Sequence, residues 1–156
     1  MQASPSISKV LVVGPKGSGK TSLLCRLIYD SVNECDQLPG QFLKFNFSRG
    51  NGDSVSFLFK EVNNLPTSEK KSAYILTLNS NNKADLESLP NTLSMISDKR
   101  VIIALCMSDL HYSAAFWVED VKKAVGKKDI KVVPVSSKTG ENIKQFMLDL
   151  SDMVLS

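Results

Sequence analysis

Arginine, histidine and cysteine are scarce in this chain, and each scarcity removes a class of function. Arginine occurs only as Arg26, Arg49 and Arg100, so few guanidinium forks are available to read base edges or clamp phosphates. The net charge is a mild +3, whereas a protein that tracks a phosphate backbone concentrates far more positive charge. No nucleic-acid partner is expected. His111 is the single histidine, and the three cysteines, Cys25, Cys35 and Cys106, show no Cys-x-x-Cys spacing. Neither a zinc site nor a disulfide framework follows, and a reduced intracellular, cytoplasmic setting is expected. The longest apolar run, from Val101 to Met107, is far shorter than the roughly 20 residues that span a bilayer. Met1 to Ser6 is polar and uncharged, unlike a signal or transit peptide. Gln2 excludes the myristoylation pattern, and the last residues, Asp152 to Ser156, hold no prenylatable cysteine, so no direct membrane anchor is expected.

What is present is ordinary globular material. With 42% hydrophobic and 22% charged residues, the 156 residues suit one core, and residues 1–156 are read as a single domain. Short β-rich runs alternate with helical patterns. Strands are expected at Lys9–Val13, Gln41–Ser48, Ser54–Val62, Ala73–Leu78, Val101–Met107 and Lys131–Val135. Helices are expected at Thr21–Tyr29, at Ala84–Ile96 with a kink or restart at Pro90, at Ala114–Val125, and from Gly140 to Val154. Arg49-Gly50-Asn51-Gly52-Asp53 reads as a hairpin turn, making the second and third strands antiparallel neighbours. The order implies an α/β fold: a mixed, mostly parallel six-stranded sheet with one antiparallel hairpin strand and helices on both faces.

The most specific motif is Gly14-Pro15-Lys16-Gly17-Ser18-Gly19-Lys20-Thr21, a complete G-x-x-x-x-G-K-[ST] match between a strand and a helix. Its glycines let successive N–H groups point inward at phosphate oxygens, at the positive end of the following helix. Gly14, Lys16, Gly17, Ser18, Gly19, Lys20, Thr21 and the adjacent Ser22 are the candidate phosphate-binding residues. Lys20 supplies a mobile charge for the outer phosphates, and the Thr21 hydroxyl is the candidate ligand for Mg²⁺. The alternative is a glycine-rich turn that binds nothing.

This motif, the early hairpin and the element order resemble the Ras superfamily of small GTPases over essentially the whole chain. The resemblance implies a Ras-like P-loop NTPase fold with GTP or GDP, and Mg²⁺, as ligands. Val133 to Ile143 is similar to the family's Ser-Ala-Lys loop, which implies that Ser137 presents a backbone N–H to guanine O6 and that Lys138 flanks the base. The Asn-Lys-x-Asp motif falls at Cys106-Met107-Ser108-Asp109: Asp109 can accept hydrogen bonds from guanine N1 and N2, Cys106 cannot replace the orienting asparagine, and Met107 can lay apolar surface on a ring. Ser108-Asp109-Leu110-His111 and Lys60-Glu61-Val62 also resemble the C-terminal GTPase domain of mitochondrial Rho (Miro) proteins.

The departures concern the switches. No Gly lies between Gly52 and Gly126, no Gln between Gln41 and Gln145, and no Thr between Thr21 and Thr67. The γ-phosphate-sensing glycine, the water-positioning glutamine and the metal-coordinating threonine of the family are therefore missing. About ten residues separate the third and fourth strands, which leaves little room for a second switch helix. Glu61 reads as an exposed strand-end acid rather than a substitute for the family's metal-sensing aspartate. Hydrolysis rests on positioning water and neutralising charge at the γ-phosphate, so no residue is assigned as catalytic. The expectation is a degenerate small GTPase that binds guanine nucleotide, hydrolyses it weakly or not at all, and acts through a protein partner as a scaffold. The alternatives are a slow switch completed by a partner, and a small P-loop kinase.

Three further features have plain readings. Lys122, Lys123, Lys127, Lys128 and Lys131 form a solvated surface near a helix C-terminus. Phe116 and Trp117 are read as core residues of one helix, although two adjacent aromatics cannot both point inward. Phe42, Phe45, Phe47, Phe57 and Phe59 of the hairpin chiefly supply the core, with outward side chains as a partner surface if the second strand is an exposed edge.

Overall fold

The computed structural model describes residues 7–30, 41–50, 52–63, 65, 73–96, 100–126 and 129–155. Cys35, Asn51, Asn64, Lys127, Lys128 and both extreme termini lie outside the described residues. Eleven elements follow in chain order: β1 (Ile7–Val13), α1 (Lys20–Tyr29), β2 (Leu43–Ser48), β3 (Ser54–Glu61), β4 (Ala73–Asn79), α2 (Lys83–Ile96), β5 (Val101–Cys106), a 3₁₀ segment (Ser108–Ser113), α3 (Val118–Val125), β6 (Lys131–Pro134) and α4 (Ile143–Leu155). The six strands form one sheet in the order β2-β3-β1-β4-β5-β6. Only β2 and β3 pair antiparallel, with Phe45 opposite Phe57; the other pairs are parallel.

Side-chain alternation divides the core into two layers. Val10, Val12, Phe57, Phe59, Ile75 and Ala104 face α1 and α4, where Leu23, Leu24, Phe146 and Leu150 meet them. Leu11, Val13, Leu76, Leu78, Ile103 and Leu105 face the other way, toward Leu89 and Leu93 of α2 and Val121 of α3. The central strands β4 and β5 are buried on both faces and are accordingly almost continuously apolar. Thr77 is the fully buried polar exception within β4.

Two helices differ from the expectation. α2 continues through Pro90 without a break. Pro90 is exposed, so the carbonyl that loses its amide partner can turn to water. α3 begins at Val118, not Ala114. The amides of Ala115 and Phe116 donate instead to the Ser80 carbonyl, at 2.8 and 3.4 Å. The helix starts where the Asp120 carboxylate accepts the Trp117 N–H at 2.9 Å. Phe116 is buried, whereas Trp117 stacks on His111 with ring centroids 3.8 Å apart. The two aromatics therefore precede α3 and part company.

β2 is an edge strand. Phe45 and Phe47 pack against the core, while Lys44, Asn46 and Ser48 are its exposed residues, so the phenylalanines are not the outward surface. Cys25 on α1 is disulfide-bonded and Cys106 is a buried free thiol, which departs from the expectation of reduced cysteines throughout. No helix among the described residues is long and apolar enough to cross a membrane.

Candidate functional site

The C-terminal ends of β1, β3, β4 and β5 open toward one edge of the sheet, and the sequence-selected residues converge there. After Val13 the chain turns through Gly14, Gly17 and Gly19, all at positive φ, and enters α1. Gly14 cannot carry a side chain, because a Cβ there would stand 2.4 Å from Thr77 Oγ1. The Ser18 hydroxyl is bonded to Thr77 Oγ1 at 2.6 Å, away from solvent, and its amide donates to the Pro15 carbonyl at 3.0 Å. Ser18 thus spends its side chain on holding the loop, while Lys16, Gly17, Thr21 and Ser22 line its open side.

Lys20 is only 7% exposed. Its Nζ donates to the carbonyls of Gly14 at 2.7 Å and Pro15 at 3.2 Å, so the ammonium folds back over the loop it follows. Burial lowers its pKa, opposed by the negative charges of Glu61 and Asp85. Beside it, Thr21 Oγ1 donates to Glu61 Oε1 at 2.7 Å. Glu61 is 9% exposed, so the reading of an exposed strand-end acid is corrected: β3 ends by directing this carboxylate at the first turn of α1. These groups border a cavity of about 570 Å³ that also takes in Asn63 and Met107.

A second cavity of about 280 Å³ adjoins it and shares Gly19, Ser22 and Met107. Here the structure brings together Asp109, Ser137 and Lys138 from two segments distant in sequence. Asp109 Oδ1 accepts the Ser136 hydroxyl at 2.8 Å. The Ser108 hydroxyl donates to Glu141 Oε1, and the Ser108 amide to the Val135 carbonyl at 3.0 Å. The two segments are therefore fastened by hydroxyl–carboxylate bonds running in opposite directions. Met107 holds φ +69°, a costly conformation for a residue with a side chain, where the two cavities meet.

Cys106 lines the second cavity, its Sγ 3.2 Å from where a Gly19 Cβ would stand. Complete burial pushes its pKa up to about 12, with the Asp85 charge adding and a backbone hydrogen bond from Leu78 opposing. The thiol is neutral packing, and the segment is oriented by other means: the Ser80 hydroxyl donates to the Cys106 carbonyl at 2.9 Å.

Among the described residues no group of three or more His, Cys, Asp or Glu side chains could cage a metal. Thr21 and Glu61 nevertheless fit Mg²⁺, which takes one or two protein oxygens and completes its shell with phosphate and water. Chemically the edge offers a glycine-turned backbone loop and an ammonium for an anion, two oxygens for a hard cation, and a carboxylate with a backbone loop for a flat polar ring. Sequence reading missed Thr77, Arg26, Ser108 and Glu141 as supports of this edge. A lone Thr in the run Tyr74-Ile75-Leu76-Thr77-Leu78 was the available signal. Compared with known proteins, the chain matches no family model and no curated sequence.

Proposed function

We propose that the protein is a degenerate Ras-like GTPase that binds GTP or GDP with Mg²⁺, turns it over weakly or not at all, and works as a protein-interaction module. The observation that carries this reading is the meeting of two cavities at Gly19, Ser22 and Met107, one bordered by Lys20, Thr21 and Glu61 and the other by Asp109, Ser137 and Lys138. A nucleotide laid across that junction puts its phosphates against the glycine loop and its base against Asp109. The loop amides and Lys20 hold the phosphates at the N-terminus of α1. Thr21 and Glu61 would hold Mg²⁺, which would supply charge neutralisation at the phosphates. Asp109 accepts from guanine N1 and N2, and the Ser137–Lys138 backbone meets O6.

Weak turnover follows from the lining of the phosphate cavity, where the described residues include Asn63 but neither Gln nor His. A base-positioned water and an arginine are the usual means of neutralising the γ-phosphate transition state. All three arginines are engaged elsewhere: Arg26 with the Ser137 and Lys138 carbonyls, Arg49 with Asp152, and Arg100 with the Val154 carbonyl at 3.0 Å. That engagement disfavours a small kinase, which needs arginines to clamp donor and acceptor.

The test is a titration of purified protein with GTP, GDP and ATP, with and without Mg²⁺, together with identification of any nucleotide carried through purification. Guanine nucleotides are expected to bind more tightly than ATP, and Asp109→Ala to cost them about 1–3 kcal/mol. Equal affinity for ATP and GTP refutes the guanine assignment. Single-turnover hydrolysis near background supports the scaffold reading, whereas a partner that separates GTP-loaded from GDP-loaded protein by more than about tenfold refutes it.

A further inference from the structure

Arg26 lies on α1 six residues beyond Lys20, and its guanidinium reaches across to the loop that follows β6. Nε donates to the Ser137 carbonyl at 2.6 Å and Nη2 to the Lys138 carbonyl at 2.8 Å. Nη1 turns back to its own helix end, donating to the Asp30 carbonyl at 3.0 Å and to the Asp30 carboxylate at 3.1 Å. The Arg26 side chain is 15% exposed and that of Asp30 92%. The carboxylate contact is therefore bathed in water, where such pairs contribute little. The two loop carbonyls are the contacts that matter, and a rigid planar fork suits two neighbouring acceptors.

Those two bonds determine more than the carbonyls. A trans peptide is planar, with its C=O and N–H antiparallel. Holding the Ser137 carbonyl toward α1 turns the Lys138 N–H to the opposite side. Holding the Lys138 carbonyl likewise aims the Thr139 N–H, which donates to Ser136 Oγ at 3.0 Å. Ser136 Oγ in turn donates to Asp109 Oδ1 at 2.8 Å. A continuous relay thus runs from the guanidinium through one rigid peptide and one hydroxyl to the carboxylate at the base cavity. Each bond in such a chain polarises and orients the next.

We propose that Arg26 is a positioning residue for base selectivity: it sets the plane of the Ser137–Lys138 peptide and, through Thr139 and Ser136, the orientation of Asp109. The inference rests on the guanine-nucleotide reading and adds the residue that makes the base half discriminate. It also ties that half to α1, the helix whose first turn carries Lys20 and Thr21. The ligand edge selected is a purine with an acceptor at position 6 and donors at positions 1 and 2.

The experiment is isothermal titration of GDP, ADP and pyrophosphate into the wild-type protein and the variants Arg26→Ala, Arg26→Lys and Asp30→Ala. Arg26→Ala is expected to lose about tenfold in GDP affinity, equivalent to 1.4 kcal/mol, with ADP and pyrophosphate within about twofold of wild type. Arg26→Lys is expected to behave like Arg26→Ala, since one ammonium does not reproduce a two-pronged contact. Asp30→Ala, which removes the exposed carboxylate contact and strains the left-handed cap (φ +54°) but leaves both loop bonds in place, is expected to keep the wild-type preference. Combining Arg26→Ala with Asp109→Ala should cost less than the sum of the two, because both act on one contact. Equal losses for GDP, ADP and pyrophosphate in Arg26→Ala overturn the proposal and reduce Arg26 to a support of α1. If Arg26→Ala does not fold, a wild-type GDP-to-ADP ratio in Arg26→Lys overturns it equally. A wild-type protein without guanine preference overturns the guanine reading itself, a result distinct from a preference that survives the loss of Arg26.

Discussion

Thr21 Oγ1 and Glu61 Oε1 stand 2.7 Å apart, joining the first turn of α1 to the end of β3. The glutamate's length lets the end of β3 reach that helix turn. On the proposed reading this pair is the protein's share of a Mg²⁺ shell, and Glu61→Gln is then expected to erase most of the metal dependence of nucleotide affinity. Titration of GDP with and without Mg²⁺ measures this. A wild-type metal effect of about tenfold or more, roughly 1.4 kcal/mol, that persists in the variant refutes the assignment.

Lys20→Ala is expected to abolish measurable nucleotide binding while changing unfolding free energy by no more than about 1 kcal/mol in nucleotide-free protein. Its ammonium is held in place against a desolvation cost and makes bonds only to carbonyls of a loop that Ser18 and Thr77 fasten independently. Denaturant unfolding and titration on the same sample separate the two effects.

Gly14→Ala is expected to destabilise the fold by about 2 kcal/mol or more. The added methyl meets backbone and side-chain oxygens of Thr77 at 2.6 and 2.4 Å, at a φ of +155°. Gly17→Ala, with nothing within 4 Å of the new atom, suffers the backbone strain alone. Its unfolding midpoint should fall less, and the reverse order would contradict the packing described at the loop.

Asp85 provides a pH signature. It is 2% exposed and accepts the Asn79 N–H at 2.7 Å. Burial pushes its carboxyl pKa up, opposed by that hydrogen bond and by the charge of Lys20. From the ordinary value of 3.8 upward the unfolded chain ionises first while the native carboxyl keeps its proton. The native state then binds more protons, so wild-type stability falls as pH rises toward the native pKa. Asp85→Asn removes that slope. The unfolding free energy of the variant minus that of wild type should rise from about pH 4 and then level off. A difference that is flat across this range would contradict the raised pKa.

The sheet was legible in the sequence because its alternation is strong: Phe45 and Phe47 on one strand and Phe57 and Phe59 on the next leave a single register that buries them. The glycine loop was legible because its spacing serves backbone geometry. Glu61 was misread because exposure depends on where a strand ends relative to a helix brought in from elsewhere in the chain. The start of α3 was misplaced because Ala114 and Ala115 have helical propensity, which two hydrogen bonds to Ser80 override. Arg26 was invisible as a support because its acceptors are carbonyls more than a hundred residues away, and a carbonyl carries no sequence signature.

The hydroxyl pair of Ser18 and Thr77 fixes where the glycine loop stands in the hierarchy of local opening. Thr77 Oγ1 also donates to the Val13 carbonyl at 3.3 Å, so it bridges β1, β4 and the loop at once. Releasing Ser18 means disturbing the junction of two central strands whose paired stretches, Val10 to Val13 and Ala73 to Leu76, are buried. A surface loop ordinarily frays long before the core. Ser18 is tied instead to the opening of β1 and β4, and its amide, bonded to the Pro15 carbonyl, should exchange with solvent on the slow timescale of those strands.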